Sequence, residues 1–108
     1  MEIREVRENK KKYLHLLLLA DEQEDMVDRY LERGTMYILL DDGSVKSECV
    51  VTDEGNGILE LKNMATEPAF QGKGYGRKLI QFISEQYRGQ YSLLQVGTGD
   101  CALTVAFY

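Results

Sequence analysis

Tryptophan is absent from this chain, proline and histidine occur once each, and cysteine twice, among 108 residues. Cys49 and Cys101 are far apart, and neither belongs to a C-x-x-C pair or a Cys/His cluster. A disulfide framework and a metal site are therefore not expected, and both thiols read as reduced. His15 lies beside leucines with no His, Cys or carboxylate at ligand spacing, so it reads as a packed or half-exposed structural histidine. Repeats, linkers and low-complexity stretches are missing. A basic excess is missing too: 13 Lys and Arg face 18 Asp and Glu, a formal net charge of −5, which argues against a general nucleic-acid binder. The longest apolar run, LLLLA at 16–20, is far too short to span a bilayer. The opening MEIREVRENKKK lacks the apolar core and cleavage site of a signal peptide. Neither nucleic acid nor membrane is an expected partner, and the expected location is cytoplasmic.

What is present is ordinary globular composition, 44% hydrophobic and 29% charged, at a length that fits one domain over 1–108. Ile3 to Val6 reads as a short strand. Asn9 offers an N-cap to a helix carrying Leu14, Leu17 and Leu18 at helical spacing. Asp21 and Glu24 stand at the offset of a capping box for a second helix. Met26, Val27, Tyr30 and Leu31 should face inward there, with Gly34 as the stop. TMYILL, VKSECVVT and ILELKNMA follow as strands separated by the turns DDGS and DEGNG, an antiparallel meander. Tyr75, Leu79, Ile80, Phe82, Ile83 and Tyr87 then recur at helical offsets up to Gly89. YSLLQV reads as a strand, and ALTVAFY as a final helix that Asp100 can cap. The order β-α-α-β-β-β-α-β-α makes Ile58 to Val96 a β-α-β crossover with parallel strands.

The loop entering the crossover helix is FQGKGYG, with glycines at 72, 74 and 76. A helix N-terminus presents unpaired N–H groups and the positive end of the peptide dipoles, and bare glycines let an anion approach closely. Lys73, Arg77 and Lys78 concentrate positive charge on the same turn of an acidic chain. A phosphate-bearing ligand is the reading. Neither G-x-x-x-x-G-K-[ST] nor G-x-G-x-x-G is present, so the two common nucleotide motifs fail on spacing.

The string Q-G-K-G-Y-G resembles the Q/R-x-x-G-x-G/A loop of the GNAT superfamily of N-acetyltransferases. KNMATEPAFQGKGYGRKLI resembles that family's strand, loop and helix throughout, and the element order from Ile3 to Tyr108 is similar to the family's. The resemblance implies an α/β (α+β) fold: a mixed, mostly antiparallel sheet with a β-α-β acetyl-CoA-binding unit and helices on both faces. It implies acetyl-CoA as cosubstrate, no metal, and an amine acceptor of unknown identity, small molecule or protein. Gln71, Gly72, Lys73, Gly74, Tyr75 and Gly76 would wrap the CoA pyrophosphate. Backbone groups of Met64, Ala65 and Thr66 would hold the pantetheine arm like an added strand, and an N–H there would polarise the thioester carbonyl. Glu60 stands where some members carry a catalytic base, beside the reading of a solvated strand glutamate. Tyr108 matches the tyrosine that protonates the departing thiolate in many members, beside the reading of an aromatic that packs.

The family continues past this tyrosine with one or two more strands, whereas this sequence stops at Tyr108. The YSLLQV strand would then have an uncovered edge, inviting a homodimer through sheet pairing. Beside the enzyme stands an alternative: a non-catalytic acyl-CoA-binding module, or an inactive fragment of a longer acetyltransferase.

Overall fold

In the computed structural model, the backbone of residues 1–98 and 101–106 and the side chains of residues 1–96 are described. Asp100 and Tyr108 lie outside the described residues. A six-stranded sheet runs in the order β1-β2-β3-β4-β5-β6. Its strands are β1 (Glu2–Val6), β2 (Thr35–Asp41), β3 (Ser44–Gly55), β4 (Ile58–Thr66), β5 (Leu93–Thr98) and β6 (Cys101–Ala106). Every pairing is antiparallel except β4 with β5, the pair joined by the crossover helix α3 (Tyr75–Gln86). Asp42-Gly43 and Asn56-Gly57, all at positive φ, make the two-residue turns of the meander.

Strand alternation divides the core. Met36, Ile38 and Val50 pack on one face against Leu17, Val27, Tyr30 and Leu31 from α1 (Leu14–Ala20) and α2 (Glu24–Leu31). Tyr37, Leu39, Cys49 and Val51 pack on the other against Leu79 and Ile83 of α3. Side chains one residue apart on a strand point to opposite faces, so a strand covered on both sides reads as an unbroken apolar run. The middle of β3, residues 46–52, is wholly buried, but only Cys49, Val50 and Val51 form such a run; Lys46, Ser47, Glu48 and Thr52 are polar groups taken into the interior with them.

Several local expectations are corrected. The segment after Thr98 is a strand rather than a helix, pairing antiparallel with β5 from Cys101 to Ala106. An open strand edge offers a row of unpaired N–H and C=O groups, and the adjoining segment, with Thr104 and Val105 β-branched, takes them up. The edge of β5 expected to be free is thus occupied. Asn9 sits in the left-handed region at φ 54 and caps nothing through its side chain; a 3₁₀ turn at Lys10–Tyr13 precedes α1. The cap position of α2 is Gln23, because the Asp21 carboxylate accepts a hydrogen bond from Tyr30 Oη at 3.2 Å. Met26 is exposed, not inward. Gly34 is needed for close approach: a Cβ there would lie 2.8 Å from Val50 Cγ1 and 2.9 Å from the Tyr30 carbonyl oxygen. His15 is exposed and pairs with Glu67 at 2.5 Å. Among the described residues, no helix is long and apolar enough to cross a membrane.

Candidate active site

β3 and β4 stay paired as far as Ser47 and Thr66, with a bulge that leaves Lys62 unmatched between Val51↔Leu61 and Val50↔Asn63. β4 and β5 pair only from Ile58↔Leu93 to Leu61↔Val96. Beyond Leu61, the side of β4 that faced β5 has no strand partner among the described residues. The sheet therefore opens like a V at the bulge. A bulge bends its strand and raises the local twist, which is how the pairing ends in mid-sheet. With the Glu67 N–H bonded to the Lys46 carbonyl, the register points the Ala65 backbone groups at β3 and those of Met64 and Thr66 to the open side, where an extended ligand arm can take them up.

The glycine loop lies at the end of this open segment. Glu67 N–H still donates to the Lys46 carbonyl, Pro68–Phe70 forms a 3₁₀ turn, and Gln71 Nε2 donates to the Thr66 carbonyl at 3.2 Å. Gln71 is thus a staple between strand and loop. Gly72 and Gly74 have φ of +79° and +86°, a region L-residues rarely adopt, and a Cβ at either would find nothing within 4 Å. Space is left in front of both. Gly76 differs: it is helical, and a Cβ there would meet only the flexible end of Met64, with Cε at 3.4 Å, an ordinary contact. The Tyr75 hydroxyl donates to Asp41 Oδ2 at 2.7 Å, pinning the first turn of α3 to the β2–β3 hairpin. That hydrogen bond, before any other influence, holds the Asp41 carboxyl below its ordinary range.

A cation not singled out from the sequence joins the loop. Lys46, nearly buried on β3, places Nζ 3.6 Å from the centre of the Phe70 ring, and Lys73 Nζ lies 5.4 Å from the same centre. Two ammonium groups flank one aromatic at the loop entrance. Its distance along the chain hid Lys46; the aromatic before the Gln was the only local signal.

On the opposite side of the sheet from α3, the V opens into a cleft of about 930 Å³ bounded by Asp21, Arg29, Tyr30, Lys62, Asn63 and Val96 among others. Glu60 is largely buried next to it. Its carboxylate accepts from Gln95 Nε2 at 2.6 Å and pairs with Lys62. Lys62 also approaches Glu54 at 3.9 Å, and Glu54 pairs with Arg33 at 3.1 Å. Glu60 is therefore not the solvated glutamate of the simpler reading. The structure brings Glu60, Met64, Ala65, Thr66 and the glycine loop onto one strand-loop-helix unit, with Glu60 before the bulge and the others after it. Tyr108 cannot be placed with them.

A mixed sheet opened between two parallel strands, with a glycine loop leading into the crossover helix, is the fold of the GNAT acetyltransferases. A structure described as an IAA acetyltransferase from Bacillus cereus superposes with a TM-score of 0.83 at 36% identity, over 92% of this chain and 66% of that one. A GNAT family acetyltransferase from Elizabethkingia anophelis, determined with acetyl-CoA bound, gives 0.85 at 27% identity, over 92% and 65%. The family model described as "Acetyltransferase (GNAT) domain" matches residues 32–108, and the chain belongs to that family. The uncharacterized N-acetyltransferase YvbK of Bacillus subtilis strain 168 is 32% identical over 89 residues, 82% of this chain and 57% of that protein. This chain thus spans little more than half the length of that curated relative.

Proposed function

We propose that this domain binds acetyl-CoA along the open side of β4 and transfers its acetyl group to an amine. The observation that carries the reading is the juxtaposition of the β4–β5 opening with the loop at Gly72 and Gly74, where space is left for an anion at a helix N-terminus. Gln71 through Gly76 hold the pyrophosphate through backbone amides, with Lys73 and Lys46 adding charge. Met64 and Thr66, with Ala65 between them bonded to β3, present backbone groups to the pantetheine amides as a strand would. The bound acetyl-CoA of the Elizabethkingia relative supports this choice of ligand.

In the transfer, the amine nitrogen attacks the thioester carbonyl carbon. A C–N bond forms, the C–S bond breaks, and the amine proton must leave while the thiolate gains one. A free alkyl amine is mostly protonated near neutrality, so a nearby acceptor of that proton is useful. Glu60 is assigned that part, directly or through a water, and the thiolate's proton is assigned to Tyr108 on the family resemblance. A backbone N–H on the open side of β4 near Met64 polarises the carbonyl. The acceptor amine enters from the cleft under α2.

Calorimetric titration of acetyl-CoA and CoA into the 108-residue chain tests the reading, followed by acetyl transfer to an amine panel. Micromolar binding with turnover is expected. Binding without turnover favours the non-catalytic module, and no binding at millimolar ligand refutes the site.

A further inference from the structure

Glu48 stands in the middle of β3 with no exposed surface. Three buried side-chain oxygens lack a hydrogen-bond partner among the described residues: both carboxyl oxygens of Glu48, and Oδ1 of Asn63. Their positions match. Val50 lies opposite Asn63 and Glu48 opposite Ala65, so Glu48 and Asn63 are diagonal neighbours on one face of adjacent strands. At that spacing, about 7–8 Å between the two positions, a glutamate side chain reaches its neighbour.

No cation meets Glu48 from the packed elements. β2 presents Ile38 directly opposite. α1 presents Leu17, and its His15 is turned to Glu67. α2 presents Tyr30, with Asp21 behind it. β4 presents Asn63 and Ala65, while Lys62 is paired with Glu60. On β3 itself, Lys46 is engaged with Ser44 and Phe70, and the other neighbour is the Cys49 thiol. A buried carboxylate with neither a cation nor a side-chain hydrogen bond is severely disfavoured, whereas a neutral acid supplies the one donor that Asn63 Oδ1 lacks.

We propose that Glu48 is a neutral acid that donates its proton to Asn63 Oδ1, and that this clamp positions one wall of the acceptor cleft. Asn63 Nδ2 donates to the Leu17 carbonyl at 2.9 Å and to Tyr30 Oη at 3.0 Å. Tyr30, its oxygen so occupied, commits its hydrogen to Asp21 Oδ2. The chain Glu48–Asn63–Tyr30–Asp21 is therefore directional, and its last three members border the cleft. Asn63 also follows the Lys62 bulge, so the clamp holds the strand where the sheet opens. Burial pushes the Glu48 carboxyl up to about 8, against a smaller opposing pull from the Ala65 backbone.

The sign follows. Between the ordinary value of 4.5 and about 8, the folded chain keeps a proton that the unfolded chain releases. Stability contributed by this group is complete below that window and lost as pH rises through it, with the unfolding constant growing about tenfold per pH unit. Above the window there is no further change.

The test uses the full chain, wild type and Glu48→Gln, the latter keeping an N–H donor without a titrating proton. The ¹³C signal of the Glu48 carboxyl, assigned by its loss in the variant, should titrate above neutrality. The Asn63 side-chain amide signals should shift at the same midpoint in wild type and stay fixed in Glu48→Gln. Glu48→Leu should move them at every pH. A Glu48 carboxyl that titrates in the ordinary carboxylate range, or an Asn63 amide indifferent to all three changes, overturns the proposal. Both readouts are independent of CoA. The catalytic consequence rests on the proposed acetyl transfer: the ratio of the wild-type KM for the amine to that of Glu48→Gln, in which the amine's own titration cancels, should rise through the same midpoint.

Discussion

Replacing Gly74 by alanine separates the backbone role of the glycine loop from simple loss of stability. Gly74 caps α3 at φ +86°, and an added Cβ would touch nothing within 4 Å. The cost is therefore conformational, about 1–2 kcal/mol for an L-residue held in the left-handed region. Gly55 is the matching control, at φ +83° with equally open surroundings. It lies by the opposite end of β4, roughly 25–30 Å from the loop at the usual rise per strand residue. Both variants should lose about the same stability, each kcal/mol lowering Tm by roughly 4–8 °C at this chain size. Only Gly74→Ala should weaken CoA. Turning one amide away from a phosphate removes a charge-assisted hydrogen bond of about 1.5–3 kcal/mol, a loss of roughly 10- to 100-fold in affinity. Thermal unfolding and calorimetric titration on both variants decide it. The reasoning is refuted if Gly74→Ala binds CoA within about threefold of wild type, or if Gly55→Ala loses as much affinity.

Two further outcomes concern the frame of the site. Gly34→Ala should destabilise by about 1–3 kcal/mol, the usual cost of overpacking, because the new methyl meets the Tyr30 and Val51 carbonyls as well as Val50; denaturant unfolding measures it. Cys49 should resist thiol reagents in the native state, since burial holds its thiol well above its ordinary value. Mass spectrometry of the Cys49 peptide should show labelling only when the chain unfolds.

The parts of the fold legible in the sequence were those set by local chemistry. Asp42-Gly43 and Asn56-Gly57 mark their hairpins because few other pairs accept positive φ twice in succession. The crossover was legible because a helix between two strands leaves them parallel, and β4 and β5 are parallel. Illegible features were settled by partners distant in the chain. Asp21 does not cap α2 because Tyr30 claims it. Lys62 gives no sign of being bulged, since one extra residue in a strand disturbs no hydrophobic period that a reader can measure. The three glycines of the loop share a spacing but not a conformation: Gly72 and Gly74 have positive φ, whereas Gly76 is helical and a Cβ there would make only an ordinary contact with Met64. Glu48 is one of several polar residues in VKSECVVT, and its full burial depends on helices packed from elsewhere.

The opening between β4 and β5 also behaves as a lever. The closed end of the β4–β5 seam is tied down, with Ser92 and Leu93 N–H both donating to the Gly57 carbonyl at 2.7 and 3.2 Å. From Leu61 to Thr66 the free arm of β4 runs about 17 Å. A rotation of about 10° at the seam therefore shifts the mouth by roughly 3 Å, about the rise of one strand residue. Small changes in the apolar packing under the seam, at Leu61, Leu94 and Leu79, are thus magnified at the open end. The calibre of the mouth can be tuned from the core, by side chains packed beneath the seam.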